Sequence, residues 1–582
     1  MPKARRAERS WSRWPVVAVT LTLIGCTSPL LTSPDRAPED GPKSPDIKTV
    51  GSCTSVWGAE SIRVYGLGVV HGLEDTGSNP PPGEVRRQAL HLLKQRGIDN
   101  ADEVLNSPDT AIVYVSALIP PGVRKDDPLD VVEVELAPDD RATSLRGGTL
   151  LACDLHEFSD ANRLTGKDAK YGTKFLSGKK LAKAQGPIIC GLTDANDKDR
   201  FRRGAIWGGG RVLEDRNFGL LLNKDHQDAR TSQSVAARVN QRFHGDLRGA
   251  MKGMAEAKTN TLVTLRVPPQ YRLNWPRYLR VVRQIPLRES QANLQSLQAA
   301  LAEDLQNPEH CVVAALRLEA MGPEALPPLK NALSHPNPKV RFCAAEALAY
   351  LGDPACAEPL AELIREEPMF RAFGLTALAS LDESICRVKL RELLADSNAE
   401  VRCGAYRALS ALAGPRADPN ARQFPEGFRL SRLAPDSAPM VHLARSKSAE
   451  ILVFGTAPTL LPPFSLSAGP DFVVTASEGD NHCIVSRISA RTGIHKETCS
   501  LAVVDILAKL GELGATYPDV TELLQAASKT EVLSCRLAID ALPQAPNVKT
   551  LAGFNPDTAD LGGAGNDFGA TPNLFSLTRR DP

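Results

Sequence analysis

Between residues 325 and 412 one pattern returns about every thirty residues, and this period restricts the fold more than any other feature of the chain. Pro328-Leu329, Pro359-Leu360 and Lys389-Leu390 lie 31 and 30 residues apart, and Val340-Arg341, Phe370-Arg371 and Val401-Arg402 lie 30 and 31 apart. Each unit predicts a helix such as Ala325 to Leu333, a turn such as Pro336-Asn337-Pro338, and a second helix such as Val340 to Leu351. In the second helices Ala347-Leu348, Ala377-Leu378 and Ala408-Leu409 recur, each followed three residues later by Leu351, Leu381 or Leu412. A narrow seam built on Leu348, Leu378 and Leu409 cannot be buried by one unit alone, so units must stack on their neighbours. A looser unit from Asn293 to Gly322 brings the number to about four, and residues 290–413 are expected to be an α-α solenoid. Arg341, Arg371 and Arg402 open equivalent helices and are expected to form a ladder with nearby acids.

The repeats fill only part of a 582-residue chain, whose length allows about three to five domains. Hydrophobic residues at 42% and charged residues at 24% match soluble globular chains and argue against bulk disorder, collagen and a polytopic membrane protein. A net charge of +1 removes the electrostatic basis for a nucleic-acid coat, and 5% aromatics give little surface for stacking bases or sugars. The N-terminus gives an address: Lys3, Arg5, Arg6, Arg9 and Arg13 precede an apolar run from Trp14 to Gly25 that is too short to span a bilayer, as in a cleaved export signal. Leu23-Ile24-Gly25-Cys26 resembles a bacterial lipobox, which implies cleavage before Cys26 and lipidation of its thiol; an ordinary signal peptide with an incidental Cys is the alternative. Thr27 after it implies sorting to the outer membrane. Residues 1–26 are thus the signal, and 27–48, with five prolines, a linker.

Residues 49–289 mix strand and helix signals and are expected to be an α+β domain. Ser61 to Val70, Ala111 to Ile119, Leu129 to Leu136 and Asn260 to Val267 read as strands, and Val85 to Gln95 and Gln233 to Phe243 as amphipathic helices. Several motifs follow in a recognisable order: Ser55-Val56-Trp57-Gly58, then Tyr65-Gly66-Leu67-Gly68-Val69-Val70, then Gly72 to Gly77. After them come Ala111 to Pro121, Leu129-Asp130-Val131, Ser144-Leu145-Arg146-Gly147-Gly148-Thr149-Leu150-Leu151, Gly209-Gly210-Arg211, Leu220 to Asp225, the helix Ser234 to Asn240, and Arg266-Val267-Pro268. This series resembles the bacterial flagellar P-ring protein family over about 240 residues, roughly 40% of the chain. The repeats are similar to short HEAT-like repeats, and similar units occur in bilin-lyase-related proteins; no unit here carries a cluster of His, Cys or carboxylates suited to lyase chemistry.

The residues themselves agree with a scaffold. Gly66, Gly68, Gly72 and Gly77 recur near the end of a strand, where glycine permits positive φ or close backbone approach. A phosphate loop is disfavoured because Gly72 stands one residue too far for GxGxxG and no P-loop Lys follows. Arg146 either makes an ion pair between subunits or caps a turn. No GxSxG elbow, HExxH pair or EF-hand loop occurs, so no catalytic, cofactor-binding or metal-ligating residue is assigned. The ten His are scattered and expected to be solvated or locally hydrogen-bonded. Twelve Cys become eleven without Cys26, so at least one thiol is left over if the rest pair. Cys311, Cys343, Cys356, Cys386 and Cys403 read as buried thiols in helices, and Cys483 and Cys499 flank a strand-turn-strand pattern where a bridge is plausible.

Beyond the repeats, proline-rich residues 414–437 read as a linker, 438–545 as a smaller α+β region, and 546–582 as a disordered tail. Glu450 to Gly455, Asp471 to Ala476 and His482 to Ile488 read as strands, and Leu501 to Leu513 and Val520 to Ala527 as helices. The first two strands are candidates for a P-ring segment displaced by the inserted repeats.

The resemblance implies a non-enzymatic structural subunit without cofactors. Copies would form a homo-oligomeric ring around the flagellar rod in the periplasm, beside the outer-membrane ring proteins and within the peptidoglycan layer, serving motility. A lipid on Cys26 would tether this ring to the outer membrane, which is foreign to that family, as are the internal repeats. Two rivals stand beside it: a non-flagellar envelope lipoprotein using HEAT-like repeats as a protein-binding scaffold, and an enzyme with a site in the repeat groove.

Overall fold

Alternating apolar positions in the first region close a barrel. The computed structural model describes residues 47–138, 140–157, 178–192, 199–247, 250–287, 290–414, 418–445, 448–489, 493–544 and 572–575, so the signal, Cys26 and most of the first linker lie outside the described residues. A short helix α1 (Val50–Cys53) and strand β1 (Thr54–Trp57) lead into β2 (Ile62–His71), helices α2 (Glu84–Gln95) and α3 (Ala101–Asn106), and strands β3 (Thr110–Ile119), β4 (Pro128–Leu136), β5 (Thr149–Glu157), β6 (Lys180–Pro187), β7 (Ile189–Cys190) and β8 (Arg203–Val212). Seven of these strands form an antiparallel sheet in the order β4-β3-β2-β5-β6-β8-β7, and a further pairing of β4 with β8 closes it. Its interior is filled by Val64, Val113, Val115, Val131, Val134, Leu155 and Ile206, while Leu67, Val69 and Ile112 on the other face pack under α2 and α3. That both faces of β2 and β3 are covered explains why their sequences are almost continuously apolar.

A second, smaller sheet, β1-β9-β13-β12, follows from β9 (Phe218–Leu222). Helix α4 (Ala229–Arg242) packs on it, starting where Asp228 accepts the Thr231 N–H. A hairpin of β10 (His244–Leu247) and β11 (Ala250–Gly253) precedes β12 (Ala255–Ala257) and β13 (Leu262–Leu265), and helix α5 (Trp275–Gln284) ends the region, capped by Asn274 with Pro276 in its first turn.

The middle of the chain is helical: α6 (Gln291–Gln306), α7 (Cys311–Met321), α8 (Leu326–Ala332), α9 (Pro338–Leu351), α10 (Ala357–Glu366), α11 (Arg371–Ser380), α12 (Ser384–Leu393) and α13 (Ala399–Ala413). Asn337 and Asn398 cap α9 and α13 at equivalent turns, and Gly352 closes α9 in the left-handed conformation. Helices α7, α9, α11 and α13 pack successively on one another. Leu348 and Leu378 have no exposed surface and Leu409 only 3%, as the seam requires, and each such burial contributes about 2 kcal/mol. The arginine ladder is corrected. Only Arg371 meets an acid, Glu400 at 2.9 Å, whereas Arg341 donates to the His335 and Pro336 carbonyls and Arg402 to those of Asp396 and Ala438. A guanidinium one turn into a helix can reach the carbonyls of the chain entering it, and these groups need partners when buried.

The last region holds β14 (Arg422–Gln423), β15 (Arg429–Leu433), β16 (Met440–Leu443), β17 (Glu450–Phe454), β18 (Phe464–Ala468), β19 (Phe472–Ala476), β20 (His482–Ser489), β21 (Gly493–Ser500), helices α14 (Val503–Glu512) and α15 (Tyr517–Lys529), and β22 (Arg536–Ile539). They build a mixed five-stranded sheet, β14-β15-β17-β16-β22, and an antiparallel meander, β18-β19-β20-β21. The stretch read as a linker at 414–437 is therefore corrected: β15 pairs in parallel with β17, and Phe424, Phe428, Leu430 and Leu433 are buried. Pro419, Pro425 and Pro435 lie in turns beside strands that already carry core residues. Of the stretch expected to be a disordered tail all but 572–575 lie outside the described residues, and there Asn573 accepts the Trp275 N–H and Phe575 is buried. Cys483 and Cys499 stand directly opposite on β20 and β21 as free thiols, sulfur to sulfur 3.3 Å.

Candidate functional site

Two motif loops that are distant in sequence come together at one end of the barrel. Gly72 and Gly147 both adopt positive φ, +80° and +74°, in facing turns, and Thr76 ties them by donating its hydroxyl to the Leu73 carbonyl (2.7 Å) and the Ser144 carbonyl (3.1 Å). Leu145 plugs the barrel core with no exposed surface. Gly148 packs under Leu73 and Val70, and Gly77 under the Thr110 carbonyl. Gly66 and Gly68 lie inside β2, not at its exit, where the β2–β5 register shifts between Tyr65 and Val70. A Cβ on Gly66 would sit 2.4 Å from the Asp154 carbonyl, so this irregular crossing demands glycine.

At the seam of the barrel, β8 runs between β4 and β6. A Cβ on Gly209 would meet the Gln185 carbonyl at 2.3 Å and one on Gly210 the Leu129 carbonyl at 2.7 Å, so this pair permits closure. Arg211 donates to the Gly208 and Gly210 carbonyls and holds the local turn. Tyr65 lines a cavity of about 520 Å³ with Tyr114, Ser116, Glu135, Arg202 and Arg203. Its charges are largely paired with each other, Arg203 to Glu135 at 3.1 Å. Among the described residues no group of three or more His, Cys, Asp or Glu is placed to hold a metal ion.

Arg146 projects from the second motif loop into the C-terminal region. Its guanidinium meets Asp519 at 2.7 Å, in the first turn of α15, and Asp471 at 2.9 Å, in the β18–β19 turn. Burial alone would lower its pKa, but the two carboxylates outweigh that and raise it. Asp519 also accepts the Thr516 N–H and hydroxyl with its other oxygen, completing a capping box, so one buried carboxylate both starts α15 and receives Arg146. Both carboxylates belong to the same chain as Arg146. Neighbouring contacts reinforce the junction: Arg487 lies 3.8 Å from Glu74, Trp207 packs edge-on against Tyr517 with centroids 6.0 Å apart, and Ile189 enters the C-terminal core. Arg146→Ala leaves Asp519 buried without its cation and is expected to destabilise the chain by about 1–3 kcal/mol, read as a lower urea midpoint, with Arg146→Lys intermediate. An unchanged midpoint would show that the junction does not depend on this pair.

A second polar cluster was not legible in the sequence. Arg277 on α5 is held by Glu319 of α7 (2.6 Å) and Glu346 of α9 (2.6 Å), all three nearly or wholly buried. Tyr271 donates to Glu319 at 2.6 Å, Asn274 donates to the Tyr350 hydroxyl at 3.0 Å, and the guanidinium lies over the Tyr350 ring. Burial raises the pKa of Glu346, one of whose oxygens has no partner. The available signal was a lone Glu in an Ala-rich seam helix, Cys343-Ala344-Ala345-Glu346-Ala347-Leu348, where apolar residues are otherwise required. The cluster locks the first region onto the helical one, and their apolar cores are continuous across it.

Comparison with known proteins follows this division. Residues 49–294 match the family described as flagellar P-ring protein, and residues 294–372 match HEAT repeats. The flagellar P-ring protein of Caulobacter vibrioides is 28% identical over 226 residues, 36% of this chain and 53% of that protein. The flagellar P-ring protein of Thermotoga maritima is 29% identical over 240 residues, 39% of this chain and 63% of that protein. That of Fervidobacterium nodosum is 30% identical over 217 residues, 35% of this chain and 57% of that protein. The chain thus spans between about half and two thirds of the length of these relatives. From the ordered motifs, the barrel they build and these matches, the chain carries a flagellar P-ring domain at residues 49–294, followed by HEAT repeats at residues 294–372.

Proposed function

We propose that this chain is a structural subunit of a flagellar basal-body ring that surrounds the rod in the periplasm and serves flagellum-dependent motility. The P-ring match across residues 49–294 carries this reading, and it belongs to a structural family, not to one of enzymes. The mechanism is assembly: a heterologous contact repeated around a closed rotation makes a ring and needs no active site. Rod and outer-membrane ring proteins are the partners, with peptidoglycan nearby.

Helices α6–α13 act as a short α-α solenoid inserted into the ring subunit, over residues 290–413, and enlarge its surface or recruit a partner. Residues 418–544 complete the ring domain after the insertion. Supporting this are the Arg146 ion pairs, the Trp207–Tyr517 contact and the entry of Ile189 into the C-terminal core. Export by the N-terminal signal and a lipid on Cys26 tether the ring to the outer membrane.

The test is a protein inventory of purified hook-basal bodies, with this chain quantified against rod components. Many copies per structure are expected. Absence from basal bodies, with the protein abundant in the outer-membrane fraction, would replace the ring with a non-flagellar envelope lipoprotein that uses its repeats as a scaffold.

A further inference from the structure

Four of the five helical cysteines meet in pairs, each pair joining a helix to its counterpart in the next repeat. Cys311 opens α7 and Cys343 lies in α9, with their sulfurs 3.7 Å apart. Cys356 stands at the start of α10 and Cys386 in the first turn of α12, both buried on packed helices, and each thiol is the foremost influence on the other's acidity. Helix α7 packs on α9, and α10 on α12. All four side chains are buried, so neither pair is an accident of loose surface chains. Cys356 and Cys386 are thirty residues apart, one repeat period, so the stacking of units brings them to the same place on neighbouring helices. Cys403, buried in α13 as deeply, is the fifth.

We propose that Cys311–Cys343 and Cys356–Cys386 are disulfide sites that staple successive helix pairs. Thiols already in contact across packed helices satisfy the main geometric demand on a disulfide, that the two backbones stand close enough to be bridged. The first staple fixes the α6/α7 pair to the α8/α9 pair, and the second fixes α10/α11 to α12/α13. The joint between the two stapled halves is left to packing, where Phe342 stacks on Phe370 with ring centroids 4.2 Å apart. The stack is thereby divided into two braced halves with one apolar joint.

The oxidant is an external disulfide, either a small one such as oxidised glutathione or a dithiol-disulfide carrier protein. One Cys thiolate of a pair attacks it, forming a mixed disulfide and releasing one carrier sulfur as a thiol. The partner Cys then displaces the second carrier sulfur. The two protein thiols are oxidised to one S–S bond, the carrier disulfide is reduced to two thiols, and these take up the two protons. Because the four thiols are buried, exchange has to take place while the helices are still packing.

The experiment uses the full chain, unfolded in denaturant and refolded in a mixture of reduced and oxidised glutathione. Free thiols are then blocked with N-ethylmaleimide under denaturing conditions, and peptides are mapped by mass without reduction. The expected result includes two linked peptides, 311 with 343 and 356 with 386, with Cys403 carrying the maleimide; a third, 483 with 499, whose sulfurs lie 3.3 Å apart, bears on neither staple. Maleimide on Cys311, Cys343, Cys356 or Cys386 in a chain that has regained its native circular dichroism would overturn the staples. Each single variant, Cys311→Ser and Cys356→Ser, should lose only its own linked peptide, and a swapped pairing in either would also overturn them. The outcome is separate from the ring reading: linked peptides in a chain missing from basal bodies retain the staples and remove the ring.

Discussion

Arg277→Met should lower the stability of the chain by about 3–5 kcal/mol, seen as a large drop in the urea midpoint, because it strands two buried carboxylates. Glu319 is wholly buried and Glu346 nearly so, and in the variant Tyr271 would still donate to Glu319 while Glu346 would keep the more distant charge of Arg280. The loss exceeds the worth of the ion pairs themselves, since the penalty is that of leaving charge in an apolar core. The sign of its pH dependence follows. Burial already raises the Glu346 carboxyl and Arg277 opposes that rise, so without the cation its folded pKa climbs further and the variant binds more protons on folding than the wild type. Its deficit against the wild type should therefore shrink as pH falls from neutral towards about 5. The triple variant Arg277→Met, Glu319→Gln, Glu346→Gln should recover most of the loss. A loss under about 1 kcal/mol in Arg277→Met, or a deficit independent of pH, would show that the cluster does not hold the two regions together.

The second large effect is an acid limb set by His442. This imidazole, on β16 between β17 and β22 of the C-terminal mixed sheet, is 3% exposed, accepts the Ala541 N–H at its Nε2, and has no partner at Nδ1. Burial, aided by the Arg407 charge, lowers its pKa from 6.5 to about 4. The unfolded chain then binds more protons than the folded one between pH 6.5 and about 4, so stability falls as pH drops through that window. A depression of this size corresponds to about 3 kcal/mol, fully present above pH 6.5 and lost below about pH 4. His442→Gln keeps an acceptor for Ala541 and cannot be protonated in this range, so its midpoint should vary less with pH. Equal slopes for the two proteins between pH 6.5 and 4.5 would assign the acid limb to other groups.

These two groups show where reading the chain stops. Strands such as Leu129 to Leu136 and helices such as Val85 to Gln95 were legible because local alternation or a helical stripe states which face is buried. The repeat seam was legible for the same reason, with the period adding that neighbours cover it. The region around Phe424 to Leu433 was misread because its strands are short and separated by prolines, and their burial comes from parallel pairing with residues about twenty positions later. His442 looked like any scattered histidine, since nothing beside it in sequence announces Arg407 or Ala541.

For this chain, the order of motifs, the repeat period and the apolar faces were determined by sequence alone, because the first two are properties of linear order and the third depends on residues within one or two turns of one another. Tertiary structure decided which distant groups meet. Arg146 reaches Asp471 and Asp519, 325 and 373 residues away; Arg277 sits between glutamates from two repeats; and Cys311 faces Cys343. Periodicity reports that a side chain points inward, whereas the partner it finds there depends on how whole elements pack, and that is set by the folded chain as a unit.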